Sequence, residues 1–209
     1  MHTLTLLTGG YKDPNPERAH EIFCCAKTNV DCRQFDRVVF FLENGRDEYE
    51  KLASQVGTKI VLVDIGRRTK YSDFIEWGNA NLDGQTVVAA NSDIYFDDTV
   101  GLVHKYNMAG RFWALTRREP YSDFALRHDP HKTQDVWIWQ APLAVNTDLE
   151  LGRPGCENHF AWLAWKAGLK VANPSLSIKV YHRHQSGLRR YSNKQRVMKP
   201  YLHIKPSKL

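Results

Sequence analysis

Past Glu157 the chain has no acidic residue, yet eleven lysines and arginines follow it. The first 157 residues hold 18 basic and 23 acidic side chains, so the net charge of +6 joins an acidic body to a basic end. A segregated cationic stretch attracts an anion: nucleic acid, a membrane surface or the phosphates of a small ligand. Beyond Lys194 it reads equally as a solvated tail. Cysteine is scarce: the four, at positions 24, 25, 32 and 156, show no CxxC spacing. That excludes a disulfide framework and a zinc site, and suits reduced thiols in a cytosol-like compartment. No apolar run nears the roughly 20 residues a membrane-spanning helix needs. Met1 to Thr8 lack the basic start and apolar stretch of a secretory signal. We therefore expect no membrane span and a cytoplasmic location, preferred over the peroxisomal address that Ser207-Lys208-Leu209 matches.

Three catalytic signatures are also missing. No GxGxxG follows the first strand-like run and no GxxxxGK[ST] occurs, which disfavours a dinucleotide dehydrogenase or P-loop enzyme. No GxSxG elbow supports a hydrolase of that type. There is no internal repeat and no low-complexity segment.

What remains is an alternation of short apolar runs with helically spaced segments, the pattern of a mostly parallel sheet covered by helices. Strands are expected over 4–8, 38–42, 60–65, 87–90, 112–116, 136–140 and 169–172. Helices are expected over 16–28, 47–56, 72–81, 98–106 and 158–167, the last ended by Gly168. At 209 residues the chain fits one domain, with a core of ordinary size. We assign that domain to 1–195, leaving 196–209 as a basic tail or the start of a linker to a further domain. Binding loops are expected over 117–133 and 141–156, because ligands of open α/β sheets gather beyond the carboxyl ends of the strands.

Four clusters carry chemistry. The run Val87-Val88-Ala89-Ala90-Asn91-Ser92-Asp93 delivers oxygen ligands from a strand end, suited to Mg²⁺ or Mn²⁺ held beside substrate phosphates. Asp97 and Asp98, just after, read equally as ligands or as carboxylates favoured at a helix start. Tyr181-His182-Arg183-His184 continues a strand-like run, which points His182 and His184 to one face and Arg183 to the other. One imidazole could join Asp93 around a metal, with Arg189 and Arg190 forking onto a diphosphate. Glu157 opens a helix, where it is either a reacting carboxylate or a dipole partner. Asp135 precedes Val136-Trp137-Ile138-Trp139, whose indoles serve either as sugar platforms or as core.

Together these segments resemble GT-A glycosyltransferases, in which an acidic DxD element holds a divalent ion against the donor diphosphate. Here the corresponding text is Asn91-Ser92-Asp93, with an amide in the first position. Glu157-Asn158 and Ala167-Gly168-Leu169-Lys170-Val171 resemble the acidic pair and following strand of family-2-type transferases. The runs NSDIYFD, ALTRRE, QDVWIW, PGCEN, NPSLSIK and YHRHQSGLRRY are similar to small GT-A domains of bacterial polysaccharide clusters and of chlorella viruses, where a rhamnose-transferring domain decorates capsid glycans. The resemblance implies a nucleotide-diphosphate sugar as donor, of UDP type, and a glycan acceptor. It implies that Thr8, Gly9, Gly10 and Tyr11 border the nucleotide, with Asp64, Arg67, Arg68 and Lys70 facing its base or phosphates and Asn91 and Ser92 beside it. It also implies Glu157 or Asp135 as the carboxylate acting at the sugar. Two other readings compete. One is a nucleic-acid module using the basic end and Tyr181, Tyr191 and Tyr201, opposed by the acidic body and the lack of an RNA-binding motif. The other is a non-catalytic nucleotide-sugar-binding domain.

Overall fold

A computed structural model describes residues 3–120, 122–188 and 190–209. The chain begins with β1 (Leu4–Gly10), α1 (Pro16–Asp31), β2 (Arg37–Leu42), α2 (Arg46–Val56), β3 (Ile60–Asp64) and α3 (Tyr71–Asn81). β4 (Thr86–Ala90), β5 (Ile94–Phe96), β6 (Arg111–Leu115), β7 (Arg118–Glu119) and β8 (Ala125–Leu126) follow. β9 (Val136–Gln140), α4 (Cys156–Lys166), β10 (Lys170–Ala172) and β11 (Val180–His182) complete it.

Seven strands form one sheet in the order β10-β6-β9-β4-β1-β2-β3. The pairs among β1 to β4 and the pair β10 with β6 are parallel, whereas β9 runs antiparallel to both β4 and β6. Side chains alternate across such strands, so each strand feeds two cores. Leu4, Leu6, Val38 and Phe40 pack with Val30 of α1 and Leu52 of α2 on one face. Leu7, Val39, Phe41 and Val87 pack with Phe74 of α3 and Phe160 of α4 on the other. This is the expected single α/β domain with a mostly parallel sheet.

Local chemistry sets the helix starts. Asn15 accepts a hydrogen bond from the Arg18 amide at 3.0 Å and Pro16 takes the first helical position, so α1 begins there. α4 follows Gly155 at φ +85°, where a Cβ would lie 2.8 Å from the Tyr201 hydroxyl; glycine is required by both backbone and packing. Gly168, at φ +87°, follows the end of α4 as expected. The segment expected as a helix over 98–106 is instead a 3₁₀ helix over Asp98–Lys105.

A second, small sheet, ordered β5-β11-β7-β8, was legible only at β11. Its antiparallel register sets His182 opposite Ile94, and the Arg183 amide donates to the Asp93 carbonyl at 2.8 Å. The last residues are not a free tail. Amides of Val197, Leu202, Ile204 and Ser207 donate to carbonyls of Pro154, Asn158, His131 and Asn173, laying the strand-like end along the domain. Among the described residues no helix is long and apolar enough to cross a membrane.

Candidate active site

A cleft of about 880 Å³ opens at the carboxyl edge of the parallel strands. β1 brings Tyr11 to it, β2 Glu43, the loop after β3 Arg68, and β4 Asn91, Ser92 and Asp93. Because β9 is reversed, its entrance rather than its exit lies at this edge, and Asp135 stands there. Glu157 enters from the start of α4, and His182 and His184 from the end of β11.

Asp93 is the hub. Its Oδ2 accepts from Arg18 Nη2 at 2.6 Å, lies 3.2 Å from His182 Nε2, and 3.7 Å from His184 Nδ1. Burial pushes this carboxyl upward, but His182 and Arg18 outweigh burial and hold it far below the usual carboxylate range. His182 also meets Glu119 at 3.2 Å through Nδ1. Burial lowers the His182 value, and the two carboxylates reverse that, raising it to about 9. Glu119 is brought down to about 2 against its own burial by His182 and Arg117. Arg117 then donates to Asp135 at 2.8 Å, and Asn91 Nδ2 reaches the same oxygen at 3.3 Å. Opposite charges thus alternate across the floor from Glu21 through Arg18, Asp93, His182, Glu119 and Arg117 to Asp135.

The donor set fits a divalent ion once His182, charged in its absence, gives up the Nε2 proton and keeps Nδ1–H on Glu119. Asp93, His182 and His184 each bring one ligand atom to within 4.8 Å of the others. His184 is pushed below the ordinary imidazole value by burial and by Arg18, which favours its neutral form, and its buried Nε2 has no hydrogen-bond partner among the described residues. One carboxylate and two imidazoles suit Mn²⁺ and its neighbours in the first transition row.

Glu157 holds its proton more tightly than an ordinary carboxyl. Burial, assisted by the charge of Asp135, raises it to about 7, and this outweighs the opposing pull of the helix start. Asp135 keeps Oδ2 buried and without a partner among the described residues.

The end of the cleft built by β1, β2 and β3 is closed by two stacked cations. Arg190 lies 3.8 Å from the centre of the Tyr11 ring and pairs with Asp13 at 3.1 Å and Glu43 at 3.2 Å. Arg68 lies 3.8 Å from the centre of Tyr191. Burial raises the Glu43 carboxyl despite Arg68 and Arg190.

Comparison with known proteins bears on the fold. No model of a known family matches the chain, and no curated protein matches it. Among solved structures it is similar to the mannosyltransferase PcManGT from Pyrobaculum calidifontis in complex with GDP-Man and Mn²⁺. The TM-score is 0.60 at 14% identity, over 83% of this chain and 55% of that one, so this chain spans about half the length of the mannosyltransferase. The inositol-1-phosphate CTP transferase from T. maritima is similar with TM-score 0.55 and 11% identity, over 91% of this chain and 92% of that one. So is the 4-diphosphocytidyl-2C-methyl-D-erythritol synthase from Anaerococcus prevotii, with TM-score 0.51 and 10% identity, over 93% and 94%. The fold is of the GT-A type.

Seen in that GT-A frame, several expected site residues fall elsewhere. Trp137 and Trp139 have no open face: both are buried against Phe160, and Trp137 also meets Tyr71. They build the core rather than a sugar platform. Asp64 pairs with Arg46 on the surface, Arg67 forks onto Asp73, and the Lys70 amide donates to Asp73 at the start of α3; none of the three lines the cleft. Thr8 is buried, and Gly9 and Gly10 act by their smallness. A Cβ on Gly9 would come within 2.9 Å of both Ser92 Oγ and Thr69 Oγ1. Arg189 lies outside the described residues. The structure adds Arg18, Arg117 and Glu119, which the sequence did not single out. Charged residues inside a helix or loop read as solvated until the partner that buries them is known.

Proposed function

We propose that the chain is a glycosyltransferase that moves a sugar from a nucleoside diphosphate donor, of UDP type, to a glycan acceptor with the help of a divalent ion. The observation that carries this reading is the meeting of Asp93, His182 and His184 in one cleft with Glu157, whose carboxyl is poised near neutrality. Asp93, His182 and His184 would hold the ion, which when bound neutralises charge developing on the departing diphosphate. Tyr11 and Arg68 border the nucleotide, and Arg190 exchanges Asp13 and Glu43 for the diphosphate. Asp135, fixed by Arg117, turns its unpartnered oxygen to the hydroxyls of the donor sugar. Glu157 takes the proton of the acceptor hydroxyl as that oxygen bonds to the anomeric carbon and the bond to the diphosphate breaks. The acceptor class follows the resemblance to domains that build polysaccharides and viral capsid glycans.

A panel of UDP and GDP sugars, with and without Mn²⁺, tests the reading by thermal shift. A ligand at a hundredfold excess over Kd stabilises the protein by about 2.7 kcal/mol. We expect a Mn²⁺-dependent shift that Asp93→Ala removes while its far-ultraviolet spectrum stays native. Indifference to every nucleoside diphosphate sugar would exclude the reading. The end-to-end match with nucleotidyltransferases favours a second one, nucleotidyl transfer to a sugar phosphate. Pyrophosphate release from a nucleoside triphosphate plus a sugar 1-phosphate would select it.

A further inference from the structure

Among the described residues six arginines line the cleft, and four of them are committed. Arg18 is bound to Asp93 and Glu21, Arg117 to Asp135 and Glu119, and Arg190 to Asp13 and Glu43. Arg68 lies on Tyr191 and donates to the Leu151 carbonyl. Arg127 and Arg196 differ. Arg127 reaches Glu119 only at 3.8 Å, and that carboxylate already serves Arg117 at 2.9 Å and His182 at 3.2 Å. Arg196 touches only the Asn193 amide oxygen, at 3.4 Å, and forms no ion pair among the described residues.

Both line the cleft that holds Asp135 and Glu157. Tyr11, Glu43 and Arg68 come from β1, β2 and β3, at one side of the sheet. Arg127 follows β8 in the connection between β6 and β9, on the other side, where Thr133 and Asp135 also stand. Arg196 precedes Val197, whose amide is bound to the Pro154 carbonyl just ahead of Glu157. Arg127 thus stands on the Asp135 side of the cleft, and Arg196 lines the same cleft beside the segment that leads into Glu157.

We propose that this half of the cleft binds an acceptor carrying an anionic group, a carboxylate or a phosphate, held by Arg127 and Arg196. A neutral glycan would strip water from two guanidinium groups and return no partner of equal strength, which costs binding energy. An anion supplies forked, charge-assisted hydrogen bonds to both arginines. The proposal names the acceptor class for the glycosyltransferase reading and rests on it.

The test is calorimetric titration of the protein, with UDP and Mn²⁺ present, by two matched pairs. One is hexagalacturonate and its full methyl ester, and the other is mannotriose and its 6-phosphate. The anionic member of at least one pair should bind tenfold or more tightly than its neutral partner, and which pair discriminates tells carboxylate from phosphate. Arg127→Gln with Arg196→Gln should abolish the preference, Arg127→Lys with Arg196→Lys should keep part of it, and UDP affinity should stay unchanged in both. Equal binding within each pair, no binding by any of the four, or a preference that survives the double Gln variant would overturn the proposal. Failure of UDP itself to bind would instead remove the nucleotide reading, and repeating the titration without UDP keeps the two outcomes apart.

Discussion

Among single residues, Glu157 has the most to reveal. Its carboxyl titrates near 7 in the folded chain against an ordinary value of 4.5. A base must be ionised to act, so kcat/KM should rise with pH through about 7 and level off above it. Glu157→Gln should cut turnover by about 10²–10⁴-fold while leaving donor affinity close to normal, as a steady-state comparison will read. Stability gives an independent check. A carboxyl whose folded value is raised favours the folded state below its unfolded value, and that advantage is lost as pH rises from about 4.5 through 7. The Gln variant never ionises, so it should exceed the natural protein in urea midpoint at pH 8 and approach it at pH 4. A lower midpoint for the variant at pH 8 would show that Glu157 is ionised at no cost in the fold.

At the level of elements, α1 and β11 form one device. Glu21 accepts from the Ser186 amide at 2.7 Å and its hydroxyl at 2.9 Å, while Arg18 of the same helix donates to the Arg183 carbonyl. The loop that carries His184 is thus pinned by a helix more than 160 residues earlier in the chain. Glu21→Ala should cost about 1–3 kcal/mol, because Arg18 then loses a buried partner. It should also speed amide exchange over 183–188 and weaken Mn²⁺ binding, by mass spectrometry and calorimetry respectively. Elements explain what was legible beforehand. The long apolar strands and their helices could be read because burial imposes a period on them. β5, β7 and β8 are two or three residues long and have no period to show. The meeting of Asp93 with His182 and His184 was legible because Asp93 ends an apolar strand and the two histidines alternate on one face. Arg18 and Arg117 were not, since a buried arginine differs from a solvated one only by a partner distant in sequence. Trp137 and Trp139 show the converse: alternation put both on one face, but the letters did not say whether that face met sugar or Phe160.

For the molecule as a whole, the basic end is part of the structure. Val197 is buried, Leu202 and Ile204 pack on the α3 and α4 side, and Tyr201 sits over Gly155. Ending the chain at residue 195 should therefore lower unfolding stability by about 3–6 kcal/mol, taking roughly 1–2 kcal/mol for each of Val197, Leu202 and Ile204. Equilibrium urea denaturation measures it, and an unchanged midpoint would make the segment an ornament. The reversal of β9 has a different kind of consequence. Asn91 leaves β4 and Asp135 enters β9, 44 residues apart in sequence and bonded side by side. The connection between them holds Arg117 and Arg127, while the opposite end of the cleft is built from β1, β2 and β3 and closed by Arg190. Substitutions confined to that one excursion of the chain would therefore alter the wall beside Asp135 and leave the wall built from β1, β2 and β3 as it stands.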